Sequence, residues 1–504
     1  MRLIMRESGI LMPIFSLPSN YGIGTFSKEA MKFVDQLSLA GQQYWQVLPL
    51  GPTSYGDSPY QSLSSFAGNP YFIDLDTLHE EGMLTKEELP TLTKDSDNRN
   101  IDYELLYKTR YHILRKAYAR FDAKQEAFQR FKIENEYWLE GYSNFMAIKN
   151  YYNDQDLYKW DKKVLAKETD ALEHVLKECK SIIGFYEFIQ FEFMEQWDKL
   201  HSYAKSKGIQ IIGDIPIYVA LDSADSWNWP KLFQFDADLK PTAVAGCPPD
   251  PFAITGQLWG NPLYNWEYHN ATNYEWWVKR IQHSFKLYDV VRIDHFRGFD
   301  EYYSVPFGAK TAEHGTWEAG PGMDLFNTLN SQLGTLNIIA EDLGFLTDTV
   351  IKLLQDSKYP GMKILQFAFD SREESDYIPH AYNNNCVVYT GTHDNDTILG
   401  WFHSINQEDR KFALAYLGDV DKSNPDLHWD FIRLAMGSVA NTAIIPIQDY
   451  LGLGSEARIN TPSTMGDNWK WRLLSNEFTP AVISKIRRFT KTYGRIKKNP
   501  VVEV

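Results

Sequence analysis

The chain has 504 residues, 43% apolar, 23% charged and 15% aromatic, a balance that fits a globular protein with room for one elaborated barrel or several ordinary domains. Its formal charge of −15 argues against nucleic acid and anionic membranes as partners, because both select basic surfaces. Three scattered cysteines, Cys179, Cys247 and Cys386, argue against a disulfide framework and for a reducing, cytoplasmic setting, and no apolar run approaches the roughly 20 residues that span a bilayer.

Arg2 and Arg6 precede an apolar run, Ile10 to Phe15, but Pro13 interrupts it. The turn Pro18-Ser19-Asn20-Tyr21-Gly22 follows where a secretory leader would carry small residues, so Ile10 to Leu17 reads as a first strand. A capped helix over Ser27 to Ala40 and a second strand over Gln43 to Leu50 come next. The polar and aromatic stretch from Tyr55 to Tyr71 then lies beyond a strand's C-terminal end, where binding residues concentrate. From 76 to 206 the character changes to Lys, Glu and aromatics at helical spacing. Leu114, Ala117, Tyr118 and Phe121 share one helix face, which predicts a mainly helical insertion with solvated charged sides.

Apolar runs over Ile209 to Val219, Val290 to Asp294, Leu336 to Ala340, Met362 to Phe369, Cys386 to Thr390 and Thr442 to Ile447 bring the strand count to eight. That count, with helical patterns between, favours an α/β fold of the closed (β/α)8 barrel type over a doubly wound sheet. Segments 1–75, 207–221 and 289–504 would supply strands one and two, three, and four to eight. No G-x-G-x-x-G, P-loop or H-E-x-x-H occurs. The segment 222–288 is too long for a simple crossover. Its run over 246–264, rich in Pro, Gly and aromatics, predicts an ordered loop of the kind that lids an active site.

Four strands leave the core through carboxylates: Asp214, Asp294, Glu341-Asp342 and Asp394. Right-handed crossovers put all C-terminal strand ends on one rim, so these groups would converge. Period-two alternation sets Arg292 beside Asp294, and a neighbouring cation favours the ionised carboxylate. Singly, each motif reads as readily as a structural ion pair or a helix cap. Jointly, at four strand exits, they predict a site. Carboxylates with His295 and His393 nearby suit either a divalent metal or glycosyl transfer. Arg292 suits the second better, since a cation beside Asp294 competes with a metal. Spacing assigns no roles among them.

The strand-end motifs GDIPIYV, VVRIDHFRG, IIAEDLG and TGTHDN resemble, in order, the four signature regions of the α-amylase clan. The blocks SPYQSLSSFAGNPYFIDL, PPDPFAITGQLWGNPLYNW and RINTPSTMGDNWKWR resemble more narrowly the 4-α-glucanotransferases of the amylomaltase, or disproportionating enzyme, family. The resemblance implies transfer of α-1,4-glucan segments to the 4-hydroxyl of glucose or a maltooligosaccharide by a retaining double displacement, without cofactor or metal. It makes Asp294 the nucleophile, Glu341 the acid and base, and Asp394 the group that holds the 2- and 3-hydroxyls of the reacting sugar. Arg292 would keep Asp294 ionised, and His295 and His393 would bond the same sugar. Asp214, Gln257, Trp259 and Asp370 become binding or supporting groups, and Tyr60 an aromatic platform on the acceptor side.

Retention asks for carboxyls roughly 5–5.5 Å apart and for Glu341 to be less acidic than Asp294. An α-glucan hydrolase with the same intermediate, or a non-catalytic glucan-binding protein, is the alternative. The family has no separate β-rich C-terminal domain, and here only a basic tail, Lys485 to Lys498, follows the eighth strand's helix. Two departures stand out: Pro13-Ile14-Phe15 where members carry His-Pro-Thr, and Pro251 in place of an aromatic.

Overall fold

Short runs of Val and Ile, apolar at nearly every position, form strands buried on both faces, as a parallel sheet covered by helices requires. The computed structural model describes residues 6–54, 56–90, 99–249, 253–344, 346–419, 421, 423–464 and 466–496. Among them the strands are β1 Glu7–Leu11, β2 Tyr44–Gln46, β3 Gln210–Pro216, β4 Ala243–Cys247, β5 Gln257–Pro262 and β6 Val290–Asp294. They continue with β7 Glu301–Pro306, β8 Thr316–Ala319, β9 Ile338–Ala340, β10 Gly361–Ile364, β11 Cys386–Tyr389 and β12 Thr442–Pro446.

Eight of these pair in parallel in the order β10-β11-β12-β1-β2-β3-β6-β9. The open edge is bridged by the Ala340 N–H, which donates to the Pro360 carbonyl at 2.9 Å, and by the Met362 N–H, which donates to Asp342 Oδ1 at 2.6 Å. The result is a (β/α)8 barrel. One strand parity fills its interior, with Leu11, Ile212, Ile339, Met362, Ile364, Val387, Tyr389 and Ile444 in a single cluster. The other parity, including Ile10, Trp45, Ile211, Val291, Ile293 and Val388, packs outward against helices. Asp214 and Glu341 each stand two residues beyond an inward Ile, so the polar groups continue the interior parity at the C-terminal end.

Several strands are shorter than their apolar runs. β1 stops at Leu11, and Ile14–Ser16 form a 3-10 turn after Pro13, which has no N–H to offer a neighbour. β10 gives way at Ile364 to a 3-10 turn over Leu365–Phe367. Ser27 stands at the N-cap of the helix Lys28–Leu39, as expected, but its side chain makes no capping hydrogen bond.

The long crossover from β2 to β3 is helical, with Tyr103–Tyr118, Glu136–Tyr151 and Lys180–Ser206 as its longest helices. Two buried polar residues lock it to the rim. Arg110 donates to the carbonyls of Tyr21, Tyr71 and Ile73 at 3.1, 3.2 and 3.0 Å. Gln190 exchanges a pair of hydrogen bonds with the backbone of Gly68 at 2.7 and 2.9 Å. Gly68 is required there, since a Cβ would come 2.2 Å from the Phe193 ring.

The segment 222–288 is more than an ordered loop. β4 and β5 join β7 and β8, which follow β6, in a four-stranded antiparallel sheet of order β5-β4-β7-β8. Gly and Pro in Gln257–Pro262 hide an edge strand that pairs with β4, and β4 in turn pairs with β7 from the next crossover. Asp250, Pro251 and Phe252 lie outside the described residues. The basic stretch from Lys485 is no simple tail either. It begins within the helix Pro480–Thr492, and Arg495, fully buried, donates to the carbonyls of Glu7, Met436 and Ala440 at 2.8, 2.9 and 2.9 Å. Lys497 and Lys498 are outside the described residues. No helix among the described residues is long and apolar enough to cross a membrane.

Candidate active site

Register carries Arg292 opposite Asp214 and Ile293 opposite Ala340, so Asp294 and Glu341 occupy the next rung on adjacent strands. Adjacent strands lie roughly 4.7–4.9 Å apart. The turn after β6 completes the approach. His295 adopts left-handed φ 54° and ψ 47°, a conformation that a non-glycine residue holds at a cost and that recurs at functional sites. It aims the His295 N–H at Glu341 Oε2, 2.6 Å away, while the Leu343 N–H donates to Oε1 at 3.0 Å.

Arg292, 3% exposed, lies beneath. Its Nη1 donates to both oxygens of Asp214 at 2.7 and 2.8 Å, and its Nη2 lies 3.0 Å from Asp294 Oδ1. Nε is turned to Met362 Sδ at 3.4 Å. The guanidinium is therefore shared between two carboxylates. Burial opposes its charge, but Asp214 and Asp294 outweigh burial and keep it protonated.

The carboxyls of Asp294 and Glu341 are both pushed above the ordinary carboxylate range, first by burial. Arg292 opposes this most strongly at Asp294, whereas Glu341 also carries the repulsion of Asp294 and ends the higher of the two. The expected order of acidity is present. Arg292, expected to keep Asp294 ionised, is the largest influence lowering it, although desolvation exceeds the ion pair.

Asp394 leaves β11 in the loop before the helix Ile398–Ser404. Asn460 Nδ2 donates to its Oδ1 at 2.7 Å, Arg458 Nη2 to its carbonyl at 2.7 Å, and His393 Nε2 stands 3.4 Å from Oδ1. The Tyr60 ring stacks on His393, with centroids 5.1 Å apart and planes 13° from parallel, and its hydroxyl donates to Asp214 Oδ2 at 2.8 Å. Tyr60 thus belongs to the wall beside Asp214 and Arg292.

The opposite wall comes from the antiparallel sheet. Trp259 meets His295 edge to face at 4.8 Å and 85°, and its Nε1 donates to Gln257 Oε1 at 3.2 Å. Burial pushes the His295 imidazole down to about 3, so it is neutral. Ten of the candidates are thereby linked: Tyr60, Asp214, Gln257, Trp259, Arg292, Asp294, His295, Glu341, His393 and Asp394. Asp370 is the exception. Its carboxylate is held by Arg372 at 2.6 and 2.8 Å, and it joins no other candidate by hydrogen bond or ion pair among the described residues.

Sequence reasoning passed over Arg458, Asn460 and Trp469, although all three lie in the block RINTPSTMGDNWKWR. Trp469 flanks both Tyr60 and His393, at 5.9 and 6.0 Å. The block was the available signal. Nothing local marked Met362 as an acceptor for Arg292.

With this geometry in view, comparison with known proteins is decisive. The family model described as 4-alpha-glucanotransferase matches residues 12–476. The chain belongs to the 4-alpha-glucanotransferase family. The 4-alpha-glucanotransferase of Clostridium butyricum is 49% identical over 487 residues, 96% of this chain and 100% of that one. That of Streptococcus pneumoniae is 47% identical over 502 residues, covering 98% and 99%. Among solved structures, the amylomaltase from Streptococcus agalactiae in complex with acarbose superposes with a TM-score of 0.94 at 41% identity, covering 98% of this chain and all of that one. The amylomaltase from Corynebacterium glutamicum, 18% identical with a TM-score of 0.76 over 97% of this chain and 74% of that one, shares the fold.

Proposed function

We propose that this 4-alpha-glucanotransferase works by retaining double displacement with Asp294 as nucleophile and Glu341 as acid and base. An Asp294 oxygen bonds to the anomeric carbon of a donor α-1,4-glucan as the bond from that carbon to the 4-oxygen breaks, and the Glu341 proton passes to the departing oxygen. The shortened glucan leaves. The 4-hydroxyl of glucose or a maltooligosaccharide then attacks the anomeric carbon, its proton returns to Glu341, and Asp294 is released. Two inversions leave the new linkage α.

Asp394 and the neutral His295, with His393, line the space for the sugar that carries the reacting carbon. Asp394 holds the 2- and 3-hydroxyls, contacts that strengthen as the ring flattens. Tyr60 and Asp214 orient Arg292, and Gln257 and Trp259 close the other side. Asp370 is kept as a supporting group outside this cluster. No step calls for a cofactor or metal. The observation that carries the reading is the pair of unequal carboxyls on neighbouring strands, the less acidic one free of the arginine ion pair. Buried free thiols at Cys179 and Cys386 suit a reducing cytoplasm.

Maltotriose incubated with the purified protein in chelator tests the assignment. Glucose should appear together with chains longer than maltotriose while the number of reducing ends stays constant, and Asp294→Asn should abolish both. Rising reducing ends would identify a hydrolase, and an active Asn variant would remove Asp294 from the role.

A further inference from the structure

We infer that Asp449 is a positioning residue for Asp394: one buried carboxylate that staples together both ends of the loop on which Asp394 sits. The inference rests on the role proposed for Asp394 and extends it to a residue that touches no substrate.

The loop 390–398 leaves the end of β11 and enters the helix Ile398–Ser404. Asp449, 1% exposed, comes from the neighbouring unit, in the helix Ile447–Leu451 just beyond β12. Its Oδ2 accepts the hydroxyl of Thr390 in a short hydrogen bond, and its Oδ1 accepts the N–H of Ile398 at 2.8 Å. Thr390 is the first residue of the loop and Ile398 the last, and both are fully buried. The Ile398 N–H is one of the helix-start donors that have no partner within the helix, so an outside acceptor is required.

The same segment reaches the loop at three further points. Ser455 Oγ donates to Asp396 Oδ2 at 2.6 Å, Arg458 holds the Asp394 carbonyl, and Asn460 holds the Asp394 carboxylate. Inside the loop, Asn395 Oδ1 accepts from the N–H and hydroxyl of Thr392 at 2.8 and 2.9 Å, and Thr397 Oγ1 accepts the Gly400 N–H at 3.1 Å. The turn is stiff in itself. It is fixed relative to the rest of the barrel by its attachments to the segment after β12 and by Gln366 Nε2, beyond β10, which donates to the Asp396 carbonyl at 2.7 Å.

Asp449 suits this task because a carboxylate has two acceptors and can serve two donors at once, while an amide offers one. The arrangement is costly. Burial pushes Asp449 up to about 7, against the two hydrogen bonds that lower it, and the charge of Asp396 adds to the rise. A group that served only to cap Ile398 would not need the second acceptor.

A loosened loop should weaken contacts made in the transition state more than those made to bound donor, so turnover should fall while donor KM holds. Asp449→Asn and Thr390→Val, assayed on maltotriose well below their melting temperatures, should each lose about tenfold or more in kcat with KM within about twofold. Thr390→Ser keeps the hydroxyl but loses a buried methyl, and should stay within about twofold of the parent enzyme. Role and stability are thereby separated. Simple packing would make the serine variant at least as impaired as the valine one, and that result would overturn the inference. So would unchanged kcat in both Asp449→Asn and Thr390→Val. Asp394→Asn runs alongside: if it stays active, the role proposed for Asp394 fails, and the staple loses its purpose for that reason.

Discussion

Asp294 and Glu341 share a burial cost and differ by one guanidinium. Catalysis as proposed needs Asp294 ionised and Glu341 protonated, so kcat/KM should follow a bell whose acid limb reports mainly Asp294 and whose alkaline limb reports mainly Glu341. Arg292 is the principal group lowering Asp294. Arg292→Lys keeps the charge but loses the fork that serves Asp214 and Asp294 together, and the acid limb should move to higher pH. An unmoved limb in the pH profile would take Arg292 out of the account. The same burial predicts a stability effect. The folded pKa of Glu341 lies above its unfolded value, so its stability contribution is fully present below the unfolded pKa and is lost as pH rises through the folded one. Glu341→Gln does not titrate. Its unfolding free energy, followed by denaturant melts, should match the parent's near pH 4 and exceed it progressively toward pH 9, by a difference on the order of a few kcal/mol.

At the scale of elements, the site stands between two sheets of different origin. Barrel strands β3, β6 and β9 supply charge, and the antiparallel sheet supplies the aromatic wall through Trp259. That wall lies against His295, directly after the proposed nucleophile Asp294, where it would limit the approach of water to a glycosyl-enzyme. Trp259→Ala should raise the ratio of hydrolysis to transfer several-fold, read as new reducing ends per transfer event on maltotriose. A constant ratio would assign water exclusion to other residues. The barrel strands were legible because parity and apolar runs are local properties. β4, β5, β7 and β8 were not, because Gly or Pro interrupts the first three, β8 is only four residues long, and their pairing joins two separate crossovers.

For the molecule as a whole, the charge of −15 has a kinetic consequence. A neutral glucan feels no net steering from it, and the Arg292–Asp214 pair beneath the site is buried away from screening ions. kcat/KM on maltotriose should therefore vary by less than about twofold between low and near-molar salt; a steep dependence would indicate a charged partner in the rate-limiting step. The sequence by itself determined the barrel, the strand exits on which the carboxylates stand, and the family, since these depend on periodicity, turn chemistry and contiguous motifs. Only the tertiary structure decided that Arg292 divides itself between Asp294 and Asp214, 78 residues away. It also decided that Asn460 holds Asp394 across 66 residues, that Tyr60 lies against His393, and that Asp370 stands outside the cluster. Acidity followed the same rule. Whether burial or an ion pair governs Asp294 depends on how much water the assembled barrel removes, and no local stretch of chain carries that quantity.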